Sequence, residues 1–185
     1  MPPFVSTLIF LMAIGTVVLD VVILGKLLAL FNRSWRAKLS GVLQMHGLLL
    51  IFVLSTLAVA GTLLMQYAGG LTPCIFCWWQ RIFMYPIPLI SLIAIIKNQK
   101  LSDVADYILA LSFIGALFAL YQHLLQILPQ GSLIPCDATD DCAIRTIYYF
   151  HFVTIPLMAL TIFVAIFLIA VIARKDRTVS TAAVQ

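Results

Sequence analysis

Charge is what this sequence has least of. Lysine and arginine number 11 and aspartate and glutamate 7 in 185 residues, so 10% of the chain is charged, against about 25% in soluble globular domains. With 63% of its residues hydrophobic, the chain cannot cover its apolar groups with so few polar ones. That excludes a soluble globular domain and leaves an integral membrane protein. Basic residues are also missing ahead of the first apolar run. Lys26, the first of them, follows that run, so the charged leading region of a secretory signal peptide is absent and the run is read as a membrane helix. The net charge of +4 belongs to the connections between apolar runs, where it orients the chain in a bilayer, and forms no patch that reads as nucleic-acid binding. Cysteine is sparse too, four in all, at positions 74, 77, 136 and 142.

What the chain has in quantity is uninterrupted apolar sequence. The runs 4–24, 43–67, 78–96, 104–127 and 147–173 are each near or above the roughly 20 residues that cross a bilayer as a helix. Five transmembrane helices are expected. Nine of the eleven basic residues then fall on one side: Lys26, Arg33, Arg36 and Lys38 after the first run, Lys97 and Lys100 after the third, and Arg174, Lys175 and Arg177 in the tail. By the positive-inside rule that side is cytoplasmic, so the N-terminus, the turn before residue 78 and the loop 128–146 face outward. All four cysteines then share the non-cytoplasmic face, where disulfides persist.

The stretch Pro73-Cys74-Ile75-Phe76-Cys77-Trp78-Trp79-Gln80-Arg81 stands where a polar turn meets an apolar run. Two cysteines three apart can close a small ring, and the unpaired amides at a helix start favour a thiolate. Arg81, four residues after Cys77, falls on the same helical face and adds a second positive influence. The motif reads as a redox centre, although the same spacing serves as half of a zinc site or as a structural disulfide. Four cysteines allow three pairings; spacing favours Cys74–Cys77 and Cys136–Cys142. The five residues between Cys136 and Cys142 are wider than the usual zinc-finger step, which argues against zinc, and no metal ligand set is assigned.

These residues resemble the disulfide bond formation protein B (DsbB) family of thiol:quinone oxidoreductases. The likeness is carried by Cys74-Ile75-Phe76-Cys77-Trp78-Trp79-Gln80-Arg81 at a helix start, by Tyr121-Gln122-His123 with Leu125-Gln126 at the outer end of a later helix, by the outward pair Cys136 and Cys142, and by the trailing Cys142-Ala143-Ile144-Arg145. It covers residues 43–173. It implies an all-α integral membrane protein, a four-helix transmembrane bundle over 43–173 with one additional N-terminal transmembrane helix. Residues 1–42 would hold that helix and a basic cytoplasmic loop, and residues 174–185 a cytoplasmic tail. The helix over 4–24 has no counterpart in the four-helix family pattern, and the link between Cys136 and Cys142 is shorter than in well-known members, which restricts its reach.

The resemblance implies an enzyme of the bacterial cytoplasmic (inner) membrane with its active cysteines on the extracytoplasmic face. It would reoxidise an exported thioredoxin-like oxidase of the DsbA kind and pass the electrons to a membrane quinone, ubiquinone or menaquinone; such a relay keeps a bacterial periplasm oxidising. Cys136 would be attacked by the partner, Cys142 released, and exchange with Cys74–Cys77 would follow. Arg81 and His123 would contact the quinone; Arg81 beside Trp78 and Trp79 also reads as an interfacial anchor, and His123 as an interfacial histidine. Gln122 and Gln126, four apart, read either as completing a polar wall with His123 or as bonding between helices. Asp137, Asp140 and Asp141 disfavour thiolates at the outer pair, which directs electrons inward, and also read as an ordinary solvated loop. Two other readings stay open: a vitamin K epoxide reductase-like quinone reductase, against which the position of the CxxC before the third helix argues, and a non-catalytic membrane protein with structural cysteines or zinc. Asp20 is an ionisable group inside the first helix and a functional candidate by default. His46 and His151 are placed near helix starts, and Pro86, Pro88 and Pro156 are expected to bend the third and fifth helices.

Overall fold

Within a bilayer every backbone amide and carbonyl must find a partner inside the protein, and a helix supplies one for each. The computed structural model describes residues 3–29, 33–127, 148–150 and 152–182. Among these residues the chain forms α1 (Pro3–Ala29), α2 (Arg33–Tyr67), α3 (Ile75–Met84), α4 (Pro86–Ile96), α5 (Leu101–Ile127) and α6 (Ile155–Ala182). Five stretches are long and apolar enough to cross a membrane: Pro3–Gly25, Met45–Tyr67, Ile75–Ile96, Leu101–Ile127 and Ile155–Arg174. The protein is therefore an all-α membrane bundle of five spans.

Three expectations are corrected at the helix ends. The basic segment read as a loop up to residue 42 is helical from Arg33, which places His46 well inside α2. Hydropathy marks where a helix enters lipid and says nothing of polar turns that continue it into water. The run 147–173 becomes helical only at Ile155. Before that, Tyr149 and Val153 pair across a tight turn in which Phe150 takes a φ of 54°. Thr154 then caps α6: its hydroxyl accepts the Leu157 amide at 3.3 Å and its carbonyl accepts the Met158 amide at 3.1 Å. Pro156 consequently sits in the first turn of α6, where a missing N–H costs nothing, so it starts that helix and does not bend it. His151 lies outside the described residues.

Pro86 does divide the third span, with α3 ending at Met84 and α4 beginning at Pro86. Tyr85 between them keeps helical dihedrals, φ −61° and ψ −36°, and its amide still donates to the Arg81 carbonyl at 2.9 Å. The end of α2 is set by Gly70 at φ 67°, a conformation that suits glycine, followed by a turn to Cys74.

The bundle is held by α5 against α6, with α2 and the α3–α4 span closing the other sides. At the α5–α6 crossing, Gly115 lets the Phe163 ring approach so closely that a Cβ there would collide with it. Small residues at such crossings give close packing, which in lipid must replace the hydrophobic drive. A second cluster closes one end of the bundle: Val5, Ile9 and Ala13 of α1 meet Met65 of α2, Val153, and Met158 of α6. Val5, Ile9, Ala13 and Thr16 recur at helical spacing along one buried stripe, so α1 docks by a face and does not merely lie in lipid beside the bundle. The start of α1, the end of α2 and the start of α6 thus lie at the same end as Cys74.

Candidate active site

Cys74 adopts an extended backbone, φ −72° and ψ 172°, and its carbonyl accepts the Trp78 amide at 3.1 Å, which makes it the residue before the first turn of α3. Cys77 falls inside that turn. Its sulfur stands 3.1 Å from that of Cys74, and both residues are half-buried. The pair thus sits at the N-terminal end of α3, where the helix dipole favours negative charge, with no side-chain cap hydrogen bond from Cys74.

The helix is pinned by its aromatic side. Trp79 and Phe118 of α5 stack with centroids 5.5 Å apart and planes 5° from parallel, and Phe83 joins the same stack. Phe76 meets Tyr121 edge-on at 5.4 Å. With these contacts fixing its rotation, α3 turns Cys77, Gln80 and Arg81 inward.

Gln122 of α5 reaches the sulfurs. Its buried side-chain amide donates to Cys74 Sγ at 3.0 Å and lies 3.6 Å from Cys77 Sγ. Its carbonyl oxygen accepts from Gln80 Nε2 at 2.6 Å, so the two glutamines brace each other beneath the cysteines. Arg81 is 8% exposed. Its Nη1 donates to Gln66 Oε1, and its Nη2 donates to the Thr62 carbonyl at 3.3 Å. The guanidinium also lies over the Trp78 ring, 5.2 Å from the centroid. These contacts hold a buried cation with neutral oxygens and a π face, which leaves its charge uncompensated by any described carboxylate around it.

Cys74, Cys77, Gln80, Arg81, Gln122 and Gln126 gather at a cavity of about 720 Å³ whose remaining walls are mostly aliphatic. Arg81 is the sole charged side chain among the described residues lining it. The size is that of a small-molecule site, and the layout, polar at one end and apolar beyond, suits an amphipathic ligand with hydrogen-bond acceptors on its head. The donors present are a guanidinium and carboxamides, and the remaining walls are hydrocarbon.

Of the residues singled out in the sequence, Cys74, Cys77 and Arg81 come together at this cavity. His123 does not line it. The ring Nδ1 shares a 2.8 Å hydrogen bond with the hydroxyl of Thr154, tying α5 to the cap of α6. Cys136, Cys142, Asp137, Asp140 and Asp141 lie outside the described residues. Asp20 accepts a hydrogen bond from the Thr161 hydroxyl at 2.8 Å, within the apolar spans of α1 and α6. Missed by sequence reasoning were Gln66, Gln80 and the wall that α1 contributes. A glutamine within an apolar span was the available signal for the first two, since polar groups there usually face the bundle interior.

Residues 44–173 match the family model described as disulfide bond formation protein DsbB. Among curated proteins, the SPbeta prophage-derived disulfide bond formation protein B of Bacillus subtilis is 37% identical over 119 residues, 64% of this chain and 79% of that one. Disulfide bond formation protein C of the same organism is 33% identical over 128 residues, 69% of this chain and 91% of its own. A probable disulfide formation protein C of Halalkalibacterium halodurans is 36% identical over 121 residues, 65% of this chain and 87% of its own. No solved structure gives a significant match.

Proposed function

The chain belongs to the DsbB family, and from that premise we propose that it is a membrane thiol:quinone oxidoreductase that supports disulfide bond formation in exported proteins. It takes electrons from an exported thioredoxin-like disulfide oxidase and delivers them to ubiquinone or menaquinone in the bacterial cytoplasmic membrane. The observation that carries this reading is the placement of the Cys74–Cys77 sulfurs and Arg81 at the polar end of a largely aliphatic cavity. The one-sided distribution of basic residues supports an extracytoplasmic position for the cysteines.

On this reading a thiolate of the partner attacks Cys136 of the Cys136–Cys142 disulfide, forming a mixed disulfide and releasing Cys142 as a thiolate. The partner's second thiolate then resolves the mixed disulfide and leaves with its own disulfide closed. The Cys136–Cys142 dithiol is reoxidised by exchange with Cys74–Cys77, which becomes a dithiol. A quinone supplies the final acceptor for two electrons and two protons as Cys74 and Cys77 close again. The chain's own groups do the rest. The α3 amides and the Gln122 amide stabilise negative charge on sulfur, Gln80 holds Gln122 in place, and Arg81 offers N–H donors and positive charge where an oxygen gains charge. The aliphatic walls exclude water from the exchange.

The test uses the full chain purified in detergent, with its cysteines reduced, mixed without oxygen with ubiquinone or menaquinone. Loss of quinone absorbance should accompany formation of one disulfide per quinone reduced. Folded, reduced protein that leaves the quinone oxidised would remove the reading, and stoichiometric zinc in that protein would replace it with a structural role for the cysteines.

A further inference from the structure

The family match begins at residue 44, so α1 lies wholly outside it, yet α1 builds one wall of the cavity. The helix is fixed at two points. Near its start, Val5 and Ile9 are buried against Met65, Val153 and Met158. Toward its other end, Asp20 accepts the Thr161 hydroxyl at 2.8 Å, a polar bond across α1 and α6 within apolar surroundings, where breaking it would strand a carboxylate. Between these anchors Met12, Gly15, Thr16 and Leu19 line the cavity, and Val22 extends the same wall just past Asp20. The Thr16 hydroxyl is spent on the Met12 carbonyl at 2.9 Å, so this wall offers the cavity no side-chain donor. Hydrocarbon is the ligand chemistry that such a wall suits.

Apart from Thr16, whose hydroxyl is already bonded, and Tyr85 between α3 and α4, the polar lining side chains belong to α2, α3, α5 and the turn before α3, with both thiols, Gln80 and Gln122 grouped together. A ligand whose head meets that group must run its apolar part along the remaining walls. We infer that α1 forms a subsite for the polyprenyl chain of the quinone, making quinone affinity dependent on chain length in a way that the four matched spans alone would not. This rests on the quinone reading above. It assigns the additional helix a part in ligand binding, where the alternative is a helix that only packs against the bundle.

Gly15 provides the probe, because it lines the cavity and a Cβ built on it meets no atom within 4 Å. Gly15→Leu therefore starts its side chain in open space beside the cavity. Gly25→Leu is the control: its Cβ is equally unobstructed, and Gly25 does not line the cavity. Binding of a polyprenyl quinone and of the same ring without a tail is measured on the full-length protein in detergent by quenching of tryptophan fluorescence, alongside the rate of quinone reduction. Gly15→Leu is expected to weaken the polyprenyl quinone about tenfold and leave the tailless ring unchanged. Gly25→Leu should affect neither. A Gly15→Leu protein that binds both as the unmodified chain does, or that loses both equally, overturns the subsite. Unmodified protein that binds and reduces neither quinone sinks the quinone reading itself, so the two failures are distinguishable. Should Gly15→Leu not fold, a quinone carrying a photoreactive group on its tail tests the unmodified protein directly. Cross-links within residues 8–22 support the subsite. Cross-links confined to other helices, or loss of the α1 cross-links when phospholipid acyl chains are added, show that α1 faces lipid and not the quinone tail.

Discussion

The side-chain amide of Gln122 lies 3.0 Å from the sulfur of Cys74, although 48 residues separate them in the chain. Its carbonyl is held by Gln80, so the amide cannot turn away from the sulfurs without breaking a second buried bond. A donor aimed at sulfur favours the reduced, charged form, and stabilising that form makes the pair the stronger oxidant.

Gln122→Leu keeps the volume and removes the donor. The reduced pair loses about 1 kcal/mol of hydrogen bonding, which lowers the Cys74–Cys77 potential by about 20 mV. It also leaves the Gln80 amide buried without this acceptor, at a cost of about 1–3 kcal/mol in stability. Equilibration against a glutathione series reads the potential, and thermal unfolding in detergent reads the stability. An unchanged potential in a folded variant would reduce Gln122 to a packing role.

Arg81 binds two groups on α2, the Gln66 side chain and the Thr62 carbonyl, through separate nitrogens of one planar fork. A lysine keeps the charge and cannot make both contacts from one stem in the same geometry. Arg81→Lys should insert and express normally and retain its disulfides. Its quinone KM should rise about tenfold, roughly 1.4 kcal/mol if KM follows affinity. Normal quinone kinetics at normal protein level would leave Arg81 as a tie between α3 and α2.

The relay makes a separate demand on the outer pair. Replacing Cys142 by serine removes the thiol that competes for Cys136, so a mixed disulfide between Cys136 and the partner oxidase should accumulate and be visible on a non-reducing gel. A trapped species running through Cys74 instead would reverse the proposed order of electron flow.

The spans were legible in the sequence because the bilayer imposes a length on apolar runs, and the CxxC with Arg81 was legible because helical spacing is local. The start of α6 was not. Tyr148, Tyr149, Phe150, Phe152 and Val153 continue the hydrophobic run of the helix they precede, and the Tyr149–Val153 pairing and the Thr154 cap show where it begins. Gln122 over Cys74 and the α1 wall depend on how distant helices rotate against each other. That rotation is set by contacts such as Gly115 on Phe163 and Trp79 on Phe118, which no window of sequence contains.

His123 separates the two sources of inference most sharply. The family resemblance gives it a quinone contact, whereas the structure turns its Nδ1 to the Thr154 hydroxyl at 2.8 Å, outside the cavity lining, with Gln122 taking the inward position next to it. Thr154 in turn caps α6 through the Leu157 amide, so the histidine holds the end of α5 to the start of α6. Removing one partner of such a buried pair leaves the other exposed to the desolvation cost, about 1–3 kcal/mol. His123→Ala should therefore lower the unfolding temperature in detergent, and Thr154→Val should lower it by a similar amount. The double variant should fall short of the sum, because the two residues share one bond. Quinone KM should stay within about twofold of the unmodified protein in both single variants, well below the tenfold expected of Arg81→Lys. A KM in His123→Ala that rises as far as in Arg81→Lys, with stability unchanged, would return the imidazole to the quinone site and show that its ring turns inward when the ligand is bound.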